Sequence, residues 1–201
     1  NEADGFEKDP RWVIFPKLSR KRHADIEEQL LTLNQEPALG TTPYASPIQD
    51  TPAPNFTWGK PYKKENETYA VLTQGPSYGY TREACRALGI DIEVIRVGLA
   101  HPMPRAWLWD ELKDIDHLLV LEELDPYLER EVFLILGAQH KELDVQGKFS
   151  GAVTRAGELS TDLVKQCLVN FLDLEPIVEE QKEVPAVGPR PPVLCPGCPH
   201  R

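Results

Sequence analysis

The segment Cys195-Pro196-Gly197-Cys198-Pro199-His200 holds the densest group of chemically capable side chains in the sequence. Two thiolates separated by two residues can clamp one metal ion, and His200 is a third donor close by. An iron–sulfur cluster is equally compatible, because runs of cysteine at this spacing ligate such clusters. A thiol–disulfide pair of the thioredoxin kind fits less well. That chemistry places the pair at a helix start after a strand, whereas this pair follows Pro189, Pro191 and Pro192. A zinc or cluster site needs more ligands than this tail supplies. Cys195 and Cys198 therefore read as half of a metal site, completed elsewhere. The remaining cysteines, Cys85 and Cys167, lie in helix-like stretches and read as small core residues.

Three other segments carry polar groups where an α/β sheet collects ligands, at the carboxyl ends of strands. The first is Gly75-Pro76-Ser77-Tyr78-Gly79, a glycine turn before a helix. Free backbone N–H groups there can cradle phosphate. The spacing matches neither a dinucleotide fingerprint nor a P-loop, and Pro76 removes a donor, so a structural tight turn competes with nucleotide binding. The second is Glu122-Glu123-Leu124-Asp125-Pro126-Tyr127-Leu128-Glu129, four carboxylates in eight residues. They could bind Mg²⁺ or form an acid–base pair. The structural reading has Asp125 capping the helix that Pro126 opens, with Glu129 near its positive end. Recognition of a basic surface is a third reading. The last segment is His101-Pro102-Met103-Pro104, whose histidine has no serine or cysteine partner in a visible triad pattern.

The chain has 201 residues, 41% hydrophobic and 27% charged, enough for a buried core. The formal net charge is −10 and the pI about 5.0. That balance argues against a nucleic-acid partner and against docking on an anionic membrane. No stretch approaches the ~18 apolar residues of a membrane span. No secretory signal opens the chain, so a reducing cytoplasm is the expected compartment. The chain starts at Asn1, has its only methionine at Met103 and stops just after a cysteine motif, and so reads as a piece of a longer polypeptide.

Proline divides the chain. Eight prolines fall in 1–62, four in 63–175 and seven in 176–201. The middle should be compact and the flanks extended. Residues 19–33 read as a helix with Ile26, Leu30, Leu31 and Leu33 mostly on one stripe. The basic run Arg20-Lys21-Arg22 at its start reads as a solvated first turn, with a nucleic-acid or targeting signal as the alternative. Residues 36–66 read as a proline-rich linker. From Tyr69 the pattern alternates: strand 69–73, helix 81–88 closed by Gly89, strand 92–97, helix 107–112, strand 117–121, helix 126–136 and helix 161–172. Lys148-Phe149 reads as a short edge strand or loop. Strands alternating with helices predict an α/β fold, a three-layer parallel sheet with flanking helices and right-handed crossovers.

Four blocks in order resemble a known family. They are Leu72-Thr73-Gln74-Gly75-Pro76-Ser77-Tyr78-Gly79-Tyr80; Ala100-His101-Pro102-Met103-Pro104; Val120-Leu121 with the Glu122–Glu129 run; and Leu194-Cys195-Pro196-Gly197-Cys198-Pro199-His200-Arg201. Together they resemble the middle of the alpha subunits of indolepyruvate:ferredoxin oxidoreductases, within the thiamine-diphosphate-dependent 2-oxoacid:ferredoxin oxidoreductase family. The resemblance implies a layout. Residues 1–35 would leave a pyrimidine-binding domain, 36–66 would link, and 67–175 would form a transketolase-C-terminal-like domain. Residues 176–201 would be a linker and the start of a pyrophosphate-binding domain. The implied reaction is oxidative decarboxylation of aryl pyruvates to acyl-coenzyme A, with electrons passed to ferredoxin. Thiamine diphosphate with Mg²⁺ and [4Fe–4S] clusters would serve the parent enzyme, and a beta subunit would be its partner. The family's thiamine-activating glutamate would precede Asn1, and its Gly-Asp-Gly…Asn motif would follow Arg201. The implied role here is a scaffold segment with no catalytic residue, no complete cofactor site and no turnover of its own. The implied metal ligands are Cys195 and Cys198, although Pro199-His200 follow where pyruvate-type relatives carry glycine. The alternative is a stand-alone acidic α/β binding module that shares a zinc ion at the same C-x-x-C.

Overall fold

A computed structural model describes residues 15–35 and 55–175, together with Asp9 and Gly188. Helix α1 spans Pro16–Gln35. Its first position is a proline, which needs no N–H partner there, and Arg22–Asp25 and His23–Glu27 pairs brace its surface. Ile26 and Leu31 of the predicted stripe are exposed.

The rest is built on one six-stranded sheet. In chain order the elements are β1 (Phe56–Trp58), β2 (Tyr62–Lys64), β3 (Glu67–Gln74), α2 (Gly75–Leu88), β4 (Glu93–Val97) and α3 (Arg105–Leu112). Then come β5 (His117–Leu121), α4 (Tyr127–Gln139), β6 (Asp144–Gln146) and α5 (Thr161–Leu172). The strand order is β1-β4-β3-β5-β6, with β2 paired to the start of β3. Strands β4, β3, β5 and β6 are mutually parallel, as the alternating pattern predicts. The flanks differ: β1 runs antiparallel to β4, and β2 folds back on β3 as a hairpin.

The apolar runs behave as doubly covered strands. Ala70, Leu72, Ile95, Val97, Leu118 and Val120 face α3 and α4, with Leu108, Leu112, Leu128 and Val132 packed on them. The alternate residues Val71, Val94, Leu119 and Leu121 face α2 and α5, where Ala84, Cys85, Val164 and Leu168 close the second layer. Three layers result, helices on both faces of the sheet. Cys85 is fully buried and Cys167 partly so, as core residues.

Two sequence readings are corrected here. Part of the expected linker, residues 56–64, supplies β1 and β2. The Glu65-Asn66 turn takes positive φ at both residues (53° and 71°), the geometry that joins a two-residue hairpin. The glycine turn 75–79 is not a free loop. The helix starts at Gly75, with Pro76 in its first turn, six residues before the predicted Thr81. Lys148-Phe149 lies just past β6. Gly89 closes α2 in the left-handed conformation, φ 67°, as predicted.

At the amino edge of the sheet, His117 ties three strands together. Its Nδ1 lies 2.9 Å from Asp144 of β6 and its Nε2 2.9 Å from Glu67 of β3, and the ring stacks on Tyr69 at 4.3 Å. Burial alone would lower its pKa. Hydrogen bonds to Asp144 and Glu67, with their charges, outweigh burial and raise it above 6.5. A group whose folded pKa is raised stabilises the fold fully below its unfolded pKa and loses that contribution as pH climbs through the folded one. Stability should therefore fall from about pH 6.5 upward. Urea unfolding across that range should show the slope in the parent chain and a flatter one in His117→Gln. Identical slopes would remove His117 as the cause.

Candidate functional site

The carboxyl ends of the parallel strands bring the three predicted segments to one edge. Gln74 leads into α2 without a side-chain cap. Gln74, Gly75, Pro76 and Ser77, with Val97 and Gly98 of the β4 end and Glu123 of the β5 end, enclose a cleft of about 260 Å³. It lies near the point where the chain crosses from one side of β3 to the other, the usual ligand position in open α/β sheets.

The carboxylates of this edge are engaged by the backbone. Glu122 is fully buried, and its carboxylate accepts from the N–H of Leu128 (2.7 Å) and of Glu129 (3.1 Å). It performs the capping that the sequence assigned to Asp125, whose carboxylate instead meets Arg130. The correction has a simple cause. Residues 123–125 form a bend, Pro126 holds the N-cap position without a side-chain cap bond, and the strand-end glutamate reaches round to the free N–H groups. Burial raises the Glu122 carboxyl pKa, and donated backbone bonds from Leu128, Glu129 and Tyr127 pull against it. Glu123 accepts from the N–H of Leu159 at 3.2 Å. Glu129 is fully buried too, and receives the N–H groups of Lys148 (2.8 Å) and Phe149 (3.0 Å).

His101 is exposed on the β4–α3 loop, and the neighbouring Tyr127 hydroxyl donates to the Ala100 carbonyl at 2.8 Å. The Cys85 thiol is pushed up to about 11, first by burial and then by Asp91, so it is no thiolate nucleophile near neutrality. Burial likewise raises Cys167, whose Sγ contacts the Ala152 carbonyl. Cys195, Cys198 and His200 lie outside the described residues. Among the described residues, no group of three or more His, Cys, Asp or Glu side chains could hold a metal ion, and no helix is long and apolar enough to cross a membrane.

Sequence reasoning missed Asn55, Arg82 and Arg96. Asn55 Oδ1 accepts from the N–H groups of Gly98 (2.9 Å) and Leu99 (3.2 Å), pinning the β4 exit to the start of β1. Arg82 and Arg96 lie over aromatic rings of that same flank. Only the sheet register brings them together.

Fold and edge define a three-layer α/β domain whose strand-end carboxylates serve its own backbone. No family model matches the chain. Curated relatives do: the chain is similar to indolepyruvate oxidoreductase subunit IorA of Methanothermobacter thermautotrophicus, 36% identical over 200 residues. It is 32% identical over 205 residues to the subunit of the same name from Thermococcus kodakarensis. Each match takes in 98% of this chain and 29% of the relative, so the chain spans under a third of their length. It is thus homologous, over nearly its whole extent, to one segment of the indolepyruvate oxidoreductase IorA subunits. A solved structure described as a split gene transketolase, inactive beta4 tetramer, aligns at TM-score 0.42 and 18% identity over 59% of this chain and 42% of that one.

Proposed function

We propose that this chain is a scaffold segment of an indolepyruvate oxidoreductase subunit, holding neighbouring parts of the enzyme at a fixed separation without making bonds itself. The observation that carries this reading is the fate of the strand-end carboxylates. Glu122, Glu123 and Glu129 accept backbone N–H groups, so the edge where α/β enzymes place catalytic groups is occupied by its own architecture.

In this reading the whole enzyme oxidatively decarboxylates aryl pyruvates to acyl-coenzyme A and reduces ferredoxin in the cytoplasm, with a beta subunit as partner. Thiamine diphosphate with Mg²⁺ would supply the carbanion chemistry, and [4Fe–4S] clusters the electron path. The described residues do not fit the magnesium diphosphate, since they offer no cluster of carboxylates for the ion. No step is routed through them. The layout assigned above, with 67–175 as a transketolase-C-terminal-like domain and 176–201 entering a pyrophosphate-binding domain, belongs to the same proposal. So do Cys195 and Cys198 as metal ligands.

The test compares the 201-residue chain with the longer subunit assembled with its partner. The assembled enzyme should reduce a viologen dye when given indolepyruvate. The 201-residue chain should consume no 2-oxo acid. Turnover by the short chain alone would sink the scaffold reading.

A further inference from the structure

Five buried side-chain polar atoms among the described residues have no hydrogen-bond partner: Asn55 Nδ2, Thr73 Oγ1, Ser77 Oγ, Arg82 Nε and Arg96 Nε. Asn55, Thr73 and Ser77 are at most 5% exposed. Native structures leave few such groups, and each asks for an explanation. These five share one corner. Thr73 and Arg96 face each other in the β3–β4 register, and Phe56, next to Asn55, pairs with Arg96 across β1–β4. Ser77 and Arg82 are residues three and eight of α2, which packs on that face of the sheet.

Two of the five are permanent cations. The Arg82 guanidinium carbon lies 5.2 Å from the centroid of Trp58 and 5.7 Å from that of Tyr78. That of Arg96 lies 5.3 Å from Phe56 and 5.3 Å from the same Tyr78. Both cations thus rest against one ring, and the Nε of each has no hydrogen-bond partner. Arg22, Arg105 and Arg130 each pair with a carboxylate, whereas Arg82 and Arg96 have none among the described residues. In a chain of net charge −10, two half-buried, unneutralised arginines side by side call for an anion.

All five unpartnered atoms can act as donors. Their complement is a group that only accepts and carries more than one negative charge. A phosphate offers three terminal oxygens and up to two charges; a carboxylate offers two oxygens and one. We propose that this corner binds the phosphate group of a small ligand, with Arg82 and Arg96 as its principal holders and Thr73, Ser77 and Asn55 as further donors. Glu123 stands on the wall of the adjoining 260 Å³ cleft and repels an anion, which places the phosphate on the arginine side. The cleft leaves room for an uncharged remainder of the ligand. The site is independent of the scaffold reading.

The experiment titrates the 201-residue chain with inorganic phosphate, pyrophosphate and adenosine diphosphate by calorimetry. Succinate serves as the carboxylate control, and tryptophan fluorescence reports on Trp58 beneath Arg82. At least one phosphate probe should bind with Kd near or below ~1 mM, more weakly as salt rises. Preference for adenosine diphosphate identifies a nucleotide source, and parity with pyrophosphate a bare phosphate source. Arg82→Lys and Arg96→Lys keep charge and stem but lose the fork, and each should weaken binding by about tenfold or more. Their melting temperatures report folding separately. No binding by any phosphate probe, equal binding by the lysine variants, or equal competition by succinate overturns the proposal.

Discussion

Glu129→Ala should lower the free energy of unfolding by about 3–5 kcal/mol, the range for removing one partner of a buried charged hydrogen-bond set. Glu129 sits in the first turn of α4, and its carboxylate reaches the loop that leaves β6. There it accepts from Lys148 at 2.8 Å and from Phe149 at 3.0 Å. Lys148 is itself only 3% exposed, and its Nζ donates to the Thr154 carbonyl at 2.6 Å. Truncation would leave two backbone donors without acceptors and a void where the side chain was. The contact is also sterically tight: a Cβ on Gly147 would lie 2.7 Å from the Glu129 carboxyl carbon. Glu129→Gln keeps the shape but turns one oxygen into a donor aimed at donors, and should cost about 1–2 kcal/mol. Glu122→Gln is the milder comparison, because burial already raises the Glu122 pKa and an amide there still offers one acceptor. Urea titration of the three variants, with hydrogen exchange at Lys148 and Phe149, checks the ordering. A loss below ~1 kcal/mol in Glu129→Ala would mean that the loop is held by something else.

The sequence makes some of this legible and hides the rest for identifiable reasons. Val71 through Thr73 and His117 through Leu121 are short apolar runs that only a doubly covered strand explains, and they are β3 and β5. Gly89 after Leu88, and Ser160 before Thr161, mark a helix end and a helix start by local chemistry; the Ser160 hydroxyl indeed accepts from the Leu163 N–H. Strands β1 and β2 are three residues each, too short for a periodic signal, and lie among prolines. Their hairpin turn is Glu65-Asn66, without the glycine that usually announces one. The cap on α4 escapes local reasoning because Glu122 reaches it from the end of β5, across a bend. Carboxylates that could have been catalytic thus proved to be acceptors for backbone N–H groups between 6 and 36 residues away. Arg82 and Arg96 carry no pattern in the sequence; their meeting over Tyr78 depends on which strand β4 lies beside.

Gly59→Ala should cost about 3 kcal/mol or more, out of proportion to one added methyl group. Gly59 follows β1 with φ +89°, outside the range L side chains prefer. An added Cβ would stand 2.2 Å from the Ile92 carbonyl oxygen, which is backbone and cannot rotate away. Relief requires the strand itself to move. β1 is an edge strand held by three residue pairs to β4, so it is the element that yields. Its departure would uncover the rings of Phe56 and Trp58 and release Asn55 from Gly98 and Leu99. Gly89→Ala supplies the control. It has φ +67° but nothing within 4 Å of an added Cβ, so it carries the conformational penalty alone, about 1 kcal/mol. The gap between the two variants in urea unfolding isolates the contact with Ile92. Limited proteolysis should cut residues 55–66 faster in Gly59→Ala while leaving α2 through α5 protected. Equal losses in the two variants would show that β1 does not approach β4 this closely.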